Sequence, residues 1–249
     1  MQTLSRCDFV VGVFRKELKN RFLCEVNIDG EDVVCYVPSS CRLSNFLKLD
    51  GKEVLLVPTV TPQSRTQYSL FAVPYKRSYI ILNTSMANRI IEANISNRKF
   101  SFLWKRKIVE KERVINNYKS DLYLPETKTI IEVKSVISLN REALFPTVYS
   151  ERTVQQLKQL YDLLGSGYRA CFVIISLHPY IDKVVIDTTS DFYKELKRCQ
   201  AEGLIVKAYT SKLGNEHLQL GKHIDIKFEA VHGYWPFLST NHLETKEWK

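Results

Sequence analysis

The hydrophobic pattern of the chain changes near residue 80. Before that point, five short runs rich in β-branched and aromatic residues are separated by turn signals such as Asp29-Gly30 and Asp50-Gly51. Five short strands at this spacing are typical of a small barrel, and an OB-like barrel is one candidate. The predicted strands cover residues 8–15, 21–28, 32–37, 53–60 and 68–75.

The remainder of the chain mixes helical and strand patterns. Apolar residues recur at spacings near 3.6 over residues 84–95, which predicts an amphipathic helix with an N-cap at Asn83-Thr84. Ser150 opens a second predicted helix that ends at residue 164, and Ser190 opens a third that ends at residue 200. Because helices separate the later strands, these strands could pair in parallel within a mixed α/β domain. The predicted strands cover residues 107–115, 118–124, 129–136, 169–177 and 204–209, with one or two more around 218–228.

Four aromatic residues of the predicted barrel have two interpretations. Phe9, Phe14, Phe22 and Tyr36 lie on its first three strands. On a barrel that binds single-stranded nucleic acid, such rings stack on bases. The simpler interpretation is that they fill the barrel core.

The chain is basic, and its positive charge is concentrated in one segment. It has 249 residues, with 36 Lys+Arg against 27 Asp+Glu and a formal net charge of +9. Residues 81–120 carry nine basic and three acidic side chains, whereas residues 121–249 carry 16 of each. Such a block is either a solvated charged face or a surface that binds phosphates. Its densest part contains Arg98, Lys99, Lys105, Arg106 and Lys107, followed by Lys111, Arg113 and Lys119.

Composition excludes several classes of protein. The central apolar run at residues 171–177 is too short to span a bilayer, and the first 25 residues lack the pattern of a signal peptide. None of the six cysteines forms a C-x-x-C pair, which favours buried free thiols over disulfides or a zinc site. We therefore expect a cytoplasmic protein with no membrane partner.

One predicted hairpin brings two acidic residues together. If residues 125–128 form its loop, Asp121 lies directly across from Glu132 on the same face. Cross-strand partners have Cβ atoms about 4.5–5.5 Å apart. Lys134 shares this face, because side chains alternate along a strand.

Facing carboxylates repel each other unless a cation neutralises them. Proteins hold Mg²⁺ with one or two carboxylates, and a nearby lysine can orient a metal-bound water or stabilise a charged phosphate transition state. The hairpin therefore has the parts needed for phosphodiester hydrolysis. The alternative is a surface network of ion pairs, but Ile130, Ile131 and Val133 mark the Glu132 strand as buried.

A set of short sequence words is more specific than this carboxylate pattern. The words are Arg21-Phe22-Leu23, Asn83-Thr84, Ala87-Asn88-Arg89, Asp121, Ile131-Glu132-Val133-Lys134-Ser135-Val136, Phe145-Pro146, Glu151-Arg152 and Leu177-His178. Together they resemble the sugar fermentation stimulation protein (SfsA) family over nearly the whole chain. The resemblance implies an OB-like β-barrel over residues 1–80, followed by a PD-(D/E)-x-K restriction-endonuclease-like mixed α/β domain over residues 81–249. It also implies nonspecific DNA binding and nuclease activity.

The resemblance implies roles for individual residues of the hairpin. It puts Asp121 and Glu132 at metal-ligand positions, with Mg²⁺ or Mn²⁺ as the cofactor. The backbone carbonyl of Val133 is implied as a further metal contact, and Lys134 stands at the catalytic-lysine position. Glu110 matches a glutamate that the family has ahead of the aspartate, and is a further catalytic and metal-site candidate.

Some positions leave alternatives open or depart from the family pattern. Glu112 competes with Glu110 if that segment is a strand. After Glu151-Arg152 the family continues with Gly and then Lys and His before a Leu, where this chain has Thr153-Val154-Gln155-Gln156. Arg152 is an expected nucleic-acid contact, and Gln155 is expected to replace the lysine as an uncharged one. The family's Pro-Asn-Thr-Gly turn reads Pro38-Ser39-Ser40-Cys41 here.

Three functions fit these patterns. The first is a divalent-metal-dependent nuclease that hydrolyses DNA or RNA, with the basic stretch at residues 98–119 holding the backbone. The second is a non-catalytic, nonspecific DNA-binding protein with a regulatory role, in sugar metabolism if the family name is a guide. The third is a role in protein interaction or metabolism without nucleic acid. We expect the first of these.

Overall fold

The computed structural model of the chain is a β-barrel followed by a mixed α/β domain. It describes residues 9–39, 42–45, 47–59, 63–138, 140–147, 149–214 and 218–231. The two-part architecture predicted from the hydrophobic pattern is confirmed.

The barrel contains the five predicted strands and a sixth that the apolar run near residue 80 supplies. They are β1 (Val10–Glu17), β2 (Leu23–Ile28), β3 (Glu31–Tyr36), β4 (Glu53–Pro58), β5 (Tyr68–Tyr75) and β6 (Ser78–Ile81). Their order in the sheet is β3-β2-β1-β4-β5-β6, and a parallel contact between Tyr36 and Ser69 joins β3 to β5. The sheet closes because alternate residues, such as Cys24 and Val26, point into a common apolar interior.

The second domain is built on a six-stranded sheet with helices against it. Its helices are α1 (Met86–Asn94), α2 (Glu151–Gly165) and α3 (Asp191–Ala201). Its strands are β7 (Glu110–Lys111), β8 (Val114–Ile115), β9 (Tyr118–Lys119), β10 (Leu122–Leu124), β11 (Thr129–Val136), β12 (Glu142–Leu144), β13 (Arg169–Ser176), β14 (Lys183–Asp187), β15 (Ile205–Leu213), β16 (Leu218–His223) and β17 (Asp225–Glu229). The sheet order is β16-β15-β13-β11-β10-β7. Strands β11, β13 and β15 are parallel, which confirms the predicted parallel pairing.

Several predicted elements differ from those observed. The strand predicted over residues 107–115 is instead β7 and β8, because Glu112 adopts a left-handed backbone with φ 50° between them. The strand predicted over residues 118–124 breaks at Ser120 and Asp121 into β9 and β10. Helix α1 begins after Ser85, while the Asn83 carboxamide accepts hydrogen bonds from Ser85 rather than capping the helix itself.

The strands β12, β14 and β17 form a small parallel sheet, of which only the region of β17 was predicted as a strand. Strand β12 has three residues and β14 has five, and neither shows an alternating pattern long enough to distinguish it from a loop. Val184 and Ile186 of β14 are buried against the helices, so this sheet extends the core beyond the central one.

The central sheet separates two apolar cores. Ile131 and Val133 of β11 point to a core that also contains α1 and the barrel interior. Ile130 points the opposite way, into the core formed with α2 and α3. The barrel also joins the second domain directly, since the Ile81 backbone N–H donates to the Leu177 carbonyl at 3.0 Å. The two domains therefore share one continuous hydrophobic core.

Two expectations from composition concern thiols and membranes. Cys24, Cys35, Cys171 and Cys199 are buried free thiols, and burial raises the pKa of Cys171 to about 12. Cys7 and Cys41 lie outside the described residues. No helix in the described ranges is long and apolar enough to cross a membrane.

We predict that the shared core makes the two domains unfold together. Leu177→Ala removes a fully buried side chain from this core and should lower the free energy of unfolding by about 2–5 kcal/mol. Urea unfolding followed by circular dichroism should show a single transition at a lower midpoint. Val114→Ala, at a side chain that is 61% exposed, is the control and should leave the midpoint nearly unchanged. Two separate transitions in either variant would contradict a shared core.

Candidate active site

The hairpin of β10 and β11 has the predicted register. Leu122 pairs with Ile131 and Leu124 pairs with Thr129. The loop is a short 3-10 turn over Pro125–Thr127, and Lys128 closes it in a left-handed conformation with φ 47°. The pairing places Asp121, just before β10, beside the stretch of β11 that contains Glu132.

Glu132 is a buried carboxylate with three hydrogen-bond donors. Only 1% of the residue is exposed, and its neighbours Ile130, Ile131 and Val133 in the strand are apolar and buried. Its Oε1 accepts from the Lys134 ammonium at 2.5 Å and from the Gln156 carboxamide at 2.9 Å. Its Oε2 accepts from the Tyr118 hydroxyl. These donors come from three different elements, β9, β11 and α2.

Opposing effects act on the pKa of Glu132. Burial raises the pKa of this carboxyl above its ordinary value, and the nearby charge of Asp121 raises it further. The Lys134 ammonium and the Tyr118 hydrogen bond act in the opposite direction, but burial prevails. Glu132 is therefore a carboxylate that a further positive charge would stabilise.

Asp121 is held directly before the first residue of β10. Its Oδ1 accepts from the Asn88 carboxamide of α1 at 2.9 Å, and its Oδ2 accepts from the Val133 backbone N–H at 2.8 Å. The N–H and C=O of one strand residue point to the same edge, so the Val133 carbonyl faces this gap as well. Asp121 thus lies where the β10–β11 ladder stops, near enough to Glu132 for its charge to raise the pKa of that carboxyl.

Lys134 and Gln156 complete the site on its α2 side. The Lys134 ammonium donates to the Gln156 Oε1 at 2.8 Å, so Glu132, Lys134 and Gln156 form a closed triangle of hydrogen bonds. The Lys134 side chain is 23% exposed, which makes it the solvent-facing member beside the buried carboxylate. Gln155 is exposed on the solvent side of α2, so its predicted contact with nucleic acid stays a prediction, and it is Gln156 that contacts Lys134 and Glu132.

The donor set fits a hard divalent cation. Asp121 and Glu132 supply carboxylate oxygens and Val133 a carbonyl oxygen, which are the ligand types that Mg²⁺ prefers. Among the described residues no group of three His, Cys, Asp or Glu side chains could hold a metal, so the predicted addition of Glu110 is not observed. Glu110 instead pairs with Arg113 at 3.7 Å. Glu112 pairs with Lys119 at 2.8 Å.

Five residues of the predicted phosphate-binding block have contacts within the protein. Three of them form ion pairs with glutamates, namely Lys111, Arg113 and Lys119. The Arg106 guanidinium donates to the carbonyls of four residues at the end of α1 and beyond, so its donors are taken by backbone. The Lys99 ammonium donates to the Gly221 carbonyl. The nucleic-acid role of Arg106 stays a prediction, and in the structure its guanidinium serves the carbonyls that follow a helix end.

The remaining basic candidates are exposed but lie in three separate places. Lys105 and Lys107 lie at the hairpin loop, where Glu126 accepts the Lys107 backbone N–H at 2.8 Å. This is the end of the hairpin remote from the carboxylates, since Thr129–Glu132 alone spans about 10 Å. Arg152 is exposed one helical turn before Gln156 and lies beside the site. Lys105 and Lys107 are therefore remote from the carboxylates. Lys111, in contrast, pairs with Leu122 and so lies next to Asp121. Arg98 is exposed in the 3-10 helix that ends at residue 103.

The barrel aromatics divide between the two interpretations. Phe14 is 2% exposed inside the barrel, and Phe9 packs against the same core. Phe22 and Tyr36 are about two-fifths exposed, with ring centroids 6.5 Å apart and planes inclined by 20°. Core packing is thus confirmed for the first pair only.

Sequence reasoning gave no role to three side chains that build the site. Asn88 lies within a helix, where asparagine is unfavourable because its side chain competes for backbone hydrogen bonds. This low helix propensity could have indicated a functional role. Gln156 stands where the resembling family has a histidine, which was a second signal. Tyr118 had none, because an aromatic residue in a strand is most simply read as core.

Comparisons with known proteins agree with this architecture. Residues 17–82 match the family model described as the SfsA N-terminal OB domain, and residues 85–217 match that of the sugar fermentation stimulation protein RE domain. The sugar fermentation stimulation protein homolog of Methanobrevibacter smithii is 31% identical over 185 residues, covering 69% of this chain and 77% of that protein. The homolog of Natranaerobius thermophilus is 28% identical and covers 88% of this chain and 94% of its own length.

A solved structure shows the same fold. It is that of Pyrococcus furiosus SfsA in complex with Ca²⁺, with a TM-score of 0.77 and 20% sequence identity. The similarity covers 91% of this chain and 99% of that one.

We predict that the Tyr118 hydroxyl stabilises the protein through Glu132. Tyr118→Phe removes the donor to a buried carboxylate oxygen and should lower the free energy of unfolding by about 1–3 kcal/mol in urea titrations at pH 7. The matched control is Tyr123→Phe, a half-buried tyrosine on β10, where a change below about 0.5 kcal/mol is expected. Equal effects of the two substitutions would contradict this assignment.

Proposed function

The chain belongs to the sugar fermentation stimulation protein family, and from that premise we propose that it is a divalent-metal-dependent nuclease that hydrolyses phosphodiester bonds of DNA or RNA. The observation that carries the proposal is Glu132, a carboxylate buried beside Asp121 and hydrogen-bonded to Lys134. Structural ion pairs are seldom placed in the middle of an apolar strand, where each charge costs free energy. Four buried free cysteines suit a reducing cytoplasm as the site of action.

We propose Mg²⁺ or Mn²⁺ as the cofactor. The residues that would hold it are Asp121, Glu132 and the Val133 carbonyl. When bound, such a cation supplies a nucleophilic hydroxide at neutral pH and stabilises charge on the phosphate oxygens. The similar Pyrococcus furiosus structure contains Ca²⁺, which also takes oxygen ligands.

The chain's own side chains then have distinct tasks. Asp121 and Glu132 are kept in place by Asn88 and by Tyr118, so that their oxygens need not reorganise when a ligand arrives. The Lys134 ammonium is partly solvent-facing and can move from Glu132 to a phosphate oxygen or an attacking water. Gln156 keeps this ammonium within reach. Arg152, one turn toward the N-terminus of α2, is positioned for a flanking phosphate.

A second candidate function rests on the same triangle of hydrogen bonds. Because Glu132 already accepts from three donors, the network satisfies a buried charge without any metal. In that case the protein binds nucleic acid without cutting it, in a regulatory role. Metal dependence of cleavage distinguishes the two functions, whereas salt dependence does not, since both bind phosphates.

We predict that cleavage depends on the two carboxylates and on the metal. Purified protein should cut labelled single- or double-stranded DNA or RNA in Mg²⁺ or Mn²⁺ but not in EDTA. Asp121→Ala and Glu132→Ala should abolish this cleavage, and Lys134→Ala should lower kcat by about 10²–10³-fold. Asp225→Asn, at an exposed carboxylate outside the site, is the control. Unchanged cleavage by both carboxylate variants would contradict the nuclease assignment, as would full activity in EDTA.

We predict separately that divalent cations stabilise the folded protein. At 100 times Kd, a ligand that binds only the native state adds about 2.7 kcal/mol, which is about 5–10 °C in Tm for a chain of this size. Thermal melts with Ca²⁺ or Mg²⁺, at constant ionic strength, should show the shift in the wild type and in the control Glu112→Gln. Asp121→Ala and Glu132→Ala should lose it. An equal shift in all four proteins would place the cation elsewhere.

A further inference from the structure

Trp104 is an exposed aromatic residue in a strained backbone conformation. Its side chain is 66% exposed, and its backbone has φ 59° and ψ −115°, a region that bulky residues rarely adopt. It directly follows the 3-10 helix Arg98–Leu103, and its N–H donates to the Ser101 carbonyl. Backbone strain of this kind is concentrated at functional sites. Neither the carboxylate site nor the core explains why a tryptophan is presented here.

Cations from the parallel strands lie over the aromatic rings of this segment. The Arg169 guanidinium, at the start of β13, lies 3.6 Å from the centroid of the Trp104 ring. The Lys207 ammonium of β15 lies 5.6 Å from the centroid of the Phe102 ring. Aromatic and basic side chains are therefore interleaved where the segment of Phe102 and Trp104 meets β13 and β15. Interleaving of this kind is typical of surfaces that bind single-stranded nucleic acid.

The surroundings of Trp104 carry a positive charge that remains available. A concave surface beside it includes Lys105 and Lys107, both exposed. Lys128 is exposed at the adjoining hairpin loop. The Lys128 carbonyl accepts a hydrogen bond from the Arg169 backbone N–H. None of these three lysines forms an ion pair within the described residues. Glu126 is the one carboxylate among the residues that line this surface, and it accepts two backbone N–H groups.

We propose that Trp104, Arg169, Lys105, Lys107 and Lys128 form a binding site for single-stranded nucleic acid, separate from the carboxylate site. An unpaired base stacks on the Trp104 indole, and the lysines hold the phosphates on either side. The ligand is single-stranded because a paired base has its faces covered by its neighbours in the helix. The site lies at the loop end of the hairpin, and the carboxylates lie at the opposite end. This proposal rests on the proposed function in one respect, namely that the ligand is a nucleic acid.

The test measures binding without cleavage. A fluorescein-labelled 20-nucleotide oligo-dT is titrated with the full chain in EDTA and low salt, and its anisotropy gives Kd. Stacking on an aromatic side chain is worth about 1–3 kcal/mol per base, so Trp104→Ala should weaken binding about 5- to 150-fold. Trp104→Phe keeps a ring and should recover most of this loss. Arg169→Ala should also weaken binding. Its control is Arg198→Ala, which should not, because Arg198 lies over the Tyr161 ring at 4.2 Å, outside this surface.

The salt dependence of Kd tests the lysines. Each phosphate contact on a single strand contributes about 0.7 to the slope of log Kd against log salt, so the double variant K105A/K107A should lower that slope by about 1.4. Unchanged affinity in Trp104→Ala would overturn the proposal. Loss of binding confined to Phe22→Ala and Tyr36→Ala would also overturn it, by placing the strand on the barrel. Failure of the nuclease assignment would not overturn this proposal, because cleavage by Asp121→Ala and Glu132→Ala is measured in a separate experiment.

Discussion

Glu132 is surrounded by isoleucine and valine in the middle of a central strand, with almost none of its surface in contact with water. A carboxylate in such a place costs several kcal/mol unless donors and positive charge surround it. Here the donors are Tyr118, Lys134 and Gln156, and each belongs to a different element. Strands β9 and β11 and helix α2 each contribute one donor, so this one buried charge links three elements of the second domain.

The hairpin of β10 and β11 separates two kinds of chemistry along its length. At its open end, the ladder stops and Asp121 turns to accept the Val133 N–H, which leaves oxygen ligands facing a gap. At its loop end, basic side chains and Trp104 form a surface of the opposite charge. On the proposed function, the first end acts on a phosphodiester and the second holds the strand that contains it. About 10 Å of strand or more lies between them, so a bound strand would have to extend over several nucleotides.

Much of this could be predicted from local sequence, because strand alternation, helical spacing and loop length are local properties. The hairpin register followed from the loop at residues 125–128, and Ser150 was correctly predicted to cap α2. The contacts that individual side chains make could not be predicted in this way. Nothing near Arg106 indicates that its guanidinium would bind carbonyls at the end of α1, and the basic block was placed by sequence order alone. The contacts of Gln156 with Lys134 and Glu132 were not predicted, since a single helical step decides whether Gln155 or Gln156 faces the site.

The central claim is that Asp121 and Glu132 hold a divalent cation together. Crystals of the protein soaked in Mn²⁺, measured at the manganese absorption edge, test this most directly. The account predicts an anomalous peak within about 2.0–2.6 Å of oxygens from both carboxylates, with the Lys134 ammonium displaced from Glu132. Crystals of Glu132→Gln treated in the same way should lack the peak. A wild-type map with Lys134 still bound to Glu132 and no manganese between the two carboxylates would contradict the account.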